Sequence, residues 1–325
     1  LVHVLFTTIV YGQTNPATQS LPYSQDFSGL AHSSTAYPAG WQGWQLSTGG
    51  ATTSFRVTAP TANLSLTASS TAAINSGGVH NYNGKIGFLQ SGSSDPSIVL
   101  AINTTGLSSV KVSYDIMTIR NPYDGTTNTR INEATLQYRV GTTGNFTTLT
   151  GVEYQNNTTA QTTAVTTPQN LQSKSITLPA ACNNNAVVQL RWVARDATGT
   201  GARPSFAIDN ISICTPPPCS VTGADFVCNN TPGNLYTAPA GMASYSWGVT
   251  GDGSIPGATT GQSVSVTSGN FINTYTVTVT ITDAYGCSSS CSKQSDIFLQ
   301  KPLADITVNP NPACFGATLD LSILT

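Results

Sequence analysis

Two acidic residues, Asp115 and Glu133, are the first candidates for chemistry in this chain of 325 residues. They fall on neighbouring strand-like stretches and could meet, and a pair of carboxyl groups roughly 5–10 Å apart is what glycoside hydrolysis requires. Each nevertheless occupies an outward position in an alternating pattern, which describes a solvated sheet face better than a catalytic cleft. His32 and His80 lie in stretches rich in Ser, Gly and Asn, with no G-x-S-x-G nucleophile motif beside them. "GTGAR" (199–203) and "GDG" (251–253) are isolated glycine turns without the strand–helix context of a phosphate loop. No HExxH pattern occurs, and the cysteine spacing matches no zinc pattern. The sequence therefore points away from catalysis in this region and toward binding.

The strongest binding candidate is the polar loop "RNPYDGTTNTRIN" (120–132), where Arg120, Tyr123, Asp124 and Arg130 could engage a sugar, the tyrosine by stacking. The competing reading is a long polar connection. Trp41 and Trp44 are further aromatic candidates, although core packing is expected for at least one of them. The Asn-x-Ser/Thr sequons at Asn103 and Asn157 are expected by chance in a chain so rich in Asn and Thr. A different signal is the lone acid of "FAIDNISIC" (206–214): Asp209 sits in an apolar strand, where a carboxylate is costly unless paired or metal-bound, or unless it caps a turn.

The elements that must position these residues are strands. Charged residues are only 8% of the chain, against roughly 25% in typical soluble domains, and Thr, Ser, Asn and Gly supply the polarity instead. In 108–120, Val110, Val112, Tyr114 and Ile116 alternate with Lys111, Ser113 and Asp115, the period of a sheet with one buried face. "EATLQYRVGTTGNFTTL" (133–149) reads as a hairpin, "KSITLP" (174–179) and "AVVQLRWVARD" (186–196) as two more strands, and "PSFAIDNISI" (204–213) as the closing one. Strands are also expected at 21–27, 53–58, 85–90 and 96–102. The fold class is all-β: a jelly-roll sandwich over 21–214, a Pro-rich linker at 215–219, an immunoglobulin-like sandwich over 220–300 and the start of a further β module at 301–325. Residues 1–214 carry ten Lys+Arg and eight Asp+Glu, and residues 215–325 carry two and six, a shift that supports the boundary.

The apolar start, 1–13, reads as the remnant of a secretory signal peptide, the alternative being a buried strand. No apolar run approaches the roughly 20 residues of a membrane span. The net charge of −2 offers no footprint for nucleic acid. Secretion implies oxidation, so Cys182, Cys214, Cys219, Cys228, Cys287 and Cys291 are disulfide candidates, with the partner of Cys314 expected beyond the sequence.

"LPYSQDF … YPAGWQGW" and "FAIDNISI" resemble the jelly-roll modules of the MAM and cleaved-adhesin type, found in secreted Bacteroidetes surface proteins. The resemblance implies that acids of the first and last strands, here Asp26 and Asp209, lie side by side and hold a structural Ca2+. "YSWGVTGDGS" and "YTVTVTITDAYGC" resemble the PKD family, with Trp247, Gly251, Asp252, Gly253, Asp283 and Gly286 at the matching positions; Gly-Val-Thr after the Trp departs from the usual pattern. On that resemblance Cys228 with Cys287 would tie two strands and Cys219 with Cys291 would pin the domain ends, with all three connectivities of the four left open. The expectation is a non-catalytic, secreted, cell-surface protein whose partner is an extracellular glycan or surface protein. The alternatives are targeting modules of a hydrolase whose catalytic domain lies outside this stretch, or a subunit of an extracellular filament or matrix.

Overall fold

Period-two patterning becomes strand almost wherever it occurs. In Lys111–Thr118, Val112, Tyr114 and Ile116 are buried while Lys111, Ser113 and Asp115 remain partly exposed; in Thr274–Thr282, Tyr275, Val277, Val279 and Ile281 are buried between threonines. The computed structural model describes residues 13–156, 158–159 and 168–299. The chain divides into two units between Thr215 and Pro216. The further module expected at 301–325, Cys314, Asn157 and all but the last residue of the expected signal remnant lie outside the described residues.

Among the described residues the first unit holds fifteen strands: β1 (Gln19–Ser20), β2 (Tyr23–Gln25), β3 (Trp41–Gln45), β4 (Ala62–Leu64), β5 (Leu66–Thr67), β6 (Gly78–Asn81), β7 (Ile86–Leu89), β8 (Pro96–Asn103), β9 (Lys111–Thr118), β10 (Ile131–Val140), β11 (Thr147–Thr148), β12 (Tyr154–Gln155), β13 (Gln169–Thr177), β14 (Val188–Thr198) and β15 (Ser205–Cys214). One sheet runs β11-β10-β14-β8-β3-β4, with β1 on β8 and β12 on β10; the other runs β13-β9-β15-β7-β6-β5, with β2 on β15. Strands remote in sequence are neighbours: β14 joins β8, and β15 inserts between β9 and β7 while also receiving β2. The inner faces bury Trp41 stacked on Trp192 (5.5 Å between ring centroids), with Tyr114 edge-on to Trp192 and Phe88 edge-on to Phe206. Aromatic side chains supply much of such a core because each removes roughly 150–250 Å² from water.

The outer face of the first sheet departs from the sequence-based expectation. Gln137, Arg139, Gln189 and Arg191 take the polar positions of β10 and β14, yet all are buried. The segment expected as a strand at 53–58 is irregular instead, and it covers this face. Its carbonyls at Arg56 and Thr58 accept from the Arg191 guanidinium (2.8 and 3.0 Å), and Phe55 lies under Arg195. Phe146 is held between Arg191 and Arg139, whose Cζ atoms lie 3.7 and 4.5 Å from the ring centroid. Both guanidiniums are satisfied by amides and carbonyls: Arg191 donates to Gln137 Oε1, and Arg139 donates to Gln189 Oε1 and Gly144 O. Backbone committed to those arginines is not available to a ladder, which explains the missing strand. Trp41 and Trp44 are both buried, the second against Phe146 on the outer face.

Among the described residues the second unit has seven strands: β16 (Phe226–Cys228), β17 (Asn234–Thr237), β18 (Ser244–Gly251), β19 (Gly253–Ser254), β20 (Ser263–Ser268), β21 (Thr274–Thr282) and β22 (Ser288–Phe298). A sheet ordered β16-β22-β21-β18 packs on one ordered β17-β20-β19. Between them the Tyr236 hydroxyl lies 2.7 Å from that of Tyr275 and 2.6 Å from Ser295 Oγ. Trp247 is buried and donates from Nε1 to Gly261 O (2.8 Å). Asp283 Oδ1 accepts from the N–H groups of Tyr285 and Cys287, closing the turn in which Gly286 has φ +82°.

Cys219 and Cys291 form a disulfide. A Cys228–Cys287 bond is ruled out by register. Cys228 pairs with Phe298 at the end of β22, whereas Cys287 immediately precedes its start. Strand rise separates these points by roughly 35 Å, far beyond the roughly 7 Å Cα reach of a disulfide. Cys214, Cys228 and Cys287 are nonetheless disulfide-bonded. Cys182, expected to be oxidised, is a free buried thiol in the short 3-10 turn Ala180–Cys182. It packs within the main core as a small apolar side chain, and burial pushes its pKa up to about 11.

Candidate functional site

Strands β7, β15 and β9 lie side by side and connect two ends of the second sheet that differ in charge. At one end β7 and β9 finish and β15 begins, since Leu89 pairs with Ser205 and Thr118 with Phe206. The loop 120–132 leaves β9 here and meets the turn 199–203 that precedes β15. Arg130 donates from Nε to Gly201 O (2.8 Å) and pairs with Asp196 (2.8 Å). Arg203 pairs with the same Asp196 oxygen (2.7 Å). Gly201 has φ +99°, and a Cβ there would approach Asn128 Oδ1 to 2.6 Å, so the two loops touch only because this residue is glycine.

The four residues singled out in that loop separate by role. Arg120 is partly buried, donates to Arg203 O and lines a cavity of about 250 Å³. Arg130 is a tie between loops. Asp124 is the staple of its own turn: its carboxylate accepts from Thr126 N (2.8 Å), Thr126 Oγ1 (3.1 Å), Asn128 N (2.9 Å) and Asn128 Nδ2 (3.1 Å). Those backbone bonds hold its pKa well below the usual carboxylate range. Tyr123 is partly exposed and stands outside the cavity lining. The rest of that lining comes from Asn75, Leu89, Gln90, Ser91, Gly92, Ala202 and Arg203, none of which the sequence pattern marked.

At the other end, the register Gln25↔Ile211 brings Asp26 beside Asn210, and Asp209 lies opposite Asp115. The strand expected at 21–27, observed as β2, is therefore a neighbour of the last strand of the unit, β15, and Asp26 and Asp209 are close enough to feel each other's charge. Burial first, then the charges of Asp115 and Asp26, raise the Asp209 pKa against the opposing influence of Asn210 N–H and Lys85. Asp209 Oδ1 accepts from Asn210 N (2.8 Å), while Asn210 Nδ2 donates to Asp115 Oδ2 (2.8 Å). Asn210 has φ +50°, where the β9–β15 register shifts. Asp26 is exposed, and its Oδ1 accepts from Ser28 N and Oγ (3.0 and 2.9 Å), which lowers its pKa. A shallow hollow lined by Ser24, Gln25, Asp26, Asn210, Ile211 and Ser212 opens beside them. The donor set is oxygen, which suits a hard cation. Among the described residues no three acidic, His or Cys side chains converge as a ready-made cluster, so a cation here would also draw on carbonyls and water.

The two acids considered for hydrolysis are not brought together. Asp115 is on β9 of one sheet and Glu133 on β10 of the other. Glu133 is nearly buried rather than solvated, paired to Arg195 (2.5 Å) on the covered outer face. One constellation escaped the sequence reading: Ser70 Oγ lies 2.9 Å from His80 Nδ1, and His80 Nε2 lies 3.1 Å from Ser76 O. Ser70 is fully buried and His80 is 1% exposed, so this contact ties segments together and offers no nucleophile to a substrate. No helix among the described residues is long and apolar enough to cross a membrane.

No family model and no curated protein matches the chain. Among solved structures, the β-1,2-glucanase from Parabacteroides distasonis aligns at 12% identity and TM-score 0.29 over 89% of this chain and 39% of that enzyme. The chain thus spans well under half of the glucanase. The K2 cleaved adhesin domain of Lys-gingipain aligns at 15% identity and TM-score 0.31, over 60% of this chain and 98% of that domain. At such TM-scores neither likeness bears on residues or activity.

Proposed function

We propose that the chain is a non-catalytic, extracellular binding protein in which the first sandwich presents a rigid loop end to a glycan or surface protein and the second, PKD-like sandwich acts as a spacer. The observation that carries this reading is the loop end itself. Loops 120–132 and 199–203 are fixed to each other by Arg130, Asp196 and Arg203, beside a cavity open to solvent. Loops held by side-chain ties on a β scaffold bind without the ordering cost of a flexible loop. Asp115 and Glu133, the pair weighed for hydrolysis, are split between sheets, and the Ser–His contact is buried. Oxidised cysteines agree with an extracellular setting.

In the same proposal, Ca2+ binds beside Asp26 and Asp209 as a structural ion, offsetting the burial and, after it, the carboxylate repulsion that raise the Asp209 pKa. The test of function is a binding screen of the whole chain against arrayed glycans and extracellular proteins, run beside a polysaccharide hydrolysis assay. Saturable binding without product release supports the reading. Release of reducing ends by the purified chain contradicts it.

A further inference from the structure

Resting on the binding reading above, we infer that the Arg120 cavity selects an anionic saccharide, a terminal sugar bearing a carboxylate or sulfate. Other arginines near this end have carboxylate partners: Arg56 on Asp95, Arg195 on Glu133, and Arg130 with Arg203 on Asp196. Arg120 is the exception. It donates one Nη1 hydrogen to Arg203 O, and among the described residues no carboxylate lies within ion-pair distance of it. Two guanidiniums sharing the single charge of Asp196 leave a further excess of positive charge beside it. A partly desolvated guanidinium with free donors fits the two coplanar oxygens of a carboxylate or sulfate in fork geometry.

The remaining walls suit a sugar ring. The Gln90 amide is held rigid: Nε2 donates to Asp95 Oδ1 (2.7 Å) and Ala194 O (2.9 Å), and Oε1 accepts from Asn132 Nδ2 (3.2 Å). The Ser91 hydroxyl accepts from Ser93 N (3.2 Å) and keeps its own hydrogen to donate, and Asn75 is exposed at the rim. Leu89 and Ala202 give apolar surface for C–H faces. At about 250 Å³ the cavity is smaller than the roughly 300–1,000 Å³ of drug-sized sites, so it admits one residue rather than a chain.

Gly92 supplies an independent variant. Gly92 lines the cavity and a Cβ built there meets no atom within 4 Å, so Gly92→Leu adds bulk at the lining without a clash at its Cβ and leaves the Arg120 side chain unaltered. The experiment is calorimetric titration of the whole chain with matched saccharides: lactose, 3′-sialyllactose and 3′-sulfolactose, and galactotriose with trigalacturonate. The sialyl and galacturonate arms report a carboxylate, the sulfo arm a sulfate. The expected result is binding of at least one acidic member over its neutral partner. Arg120→Gln should weaken it about ten- to a hundredfold and Gly92→Leu should abolish it, each with an unchanged melting temperature. Acidic binding that survives Gly92→Leu overturns the site. Binding of neutral and acidic members alike overturns the selectivity and leaves the binding module standing. No affinity for any saccharide, together with binding to a surface protein in the screen, overturns the inference alone; no binding in either experiment overturns both.

Discussion

The two ends of the central strands in the first sandwich are opposites built from the same parts. At one, Arg130 and Arg203 share a single carboxylate, Asp196, beside Arg120, which donates to Arg203 O; at the other, Asp209 lies opposite Asp115 and near Asp26, with Lys85 as the opposing charge on it. Five residues of β9 and its following turn, from Asp115 to Arg120, separate them, roughly 16 Å at strand rise. That exceeds the roughly 8 Å screening length at physiological salt, so the ends act independently. They differ in how their charges are held. The arginines are tied to carbonyls and shared acids in loops, and their surplus is fixed in a cavity. The aspartates lie just past the end of β2 and around a register shift between β9 and β15, where burial first, and then the neighbouring carboxylates, raise the pKa of Asp209. On the proposed reading one end receives an anion and the other a cation, and each can be broken without the other.

The largest effect is expected where the single compensating carboxylate is removed. Asp196→Ala leaves two mostly buried guanidiniums without a partner and should cost about 2–4 kcal/mol of stability of the first sandwich in denaturant unfolding. Next comes the acid end: millimolar Ca2+ should stabilise the same sandwich by about 1–3 kcal/mol if the affinity is that of extracellular modules. The gain should vanish with chelator and in Asp26→Asn or Asp209→Asn. Stability unchanged by Ca2+ in calorimetric melting removes the ion from the account.

A smaller effect separates the ends by pH. The folded pKa of Asp209 is raised, so the folded state holds that proton more tightly than the unfolded chain does. Without Ca2+, its penalty is present at neutral pH and is relieved as pH falls through the raised value toward 3.8. Asp209→Asn should therefore melt higher than wild type at neutral pH in chelator, and the difference should close on acidification. Asp124 has the opposite sign: its lowered pKa contributes stability above the ordinary carboxylate range that is lost only as pH falls through the depressed value. The smallest effect is expected from Tyr123→Ala, outside the cavity lining, at less than about 1 kcal/mol in saccharide binding.

Much of the sandwich was legible because one-sided burial writes itself into every second residue, as in β9 and β21. The adjacency of the Asp26 and Asp209 stretches was carried by the family resemblance of their motifs, and the register of β2 on β15 agrees with it. The outer face of the first sheet was not legible. Arg191 and Gln189 alternate with apolar residues, and such a strand pattern cannot show that an aperiodic segment, 53–58, folds over them. The Arg120 cavity was half visible: the loop marked Arg120, but Gln90, Gly92 and Arg203 come from separate turns and meet only through the β7–β15–β9 register. Glu133 and Asp115 looked like neighbours because sequence proximity does not say which sheet a strand joins. Cys228 and Cys287 looked like partners because the parallel pairing of β16 on β22 carries no sequence signature.

Amide chemical-shift mapping of the whole chain, titrated separately with CaCl2 and with trigalacturonate, tests the two-ended account most directly. The account predicts two sets of perturbed amides that do not overlap: residues 24–28 and 209–212 for Ca2+, and residues 75, 90–92, 120 and 202–203 for the saccharide. Perturbation of one shared set by both ligands, or saccharide shifts centred on the aspartates, would contradict it.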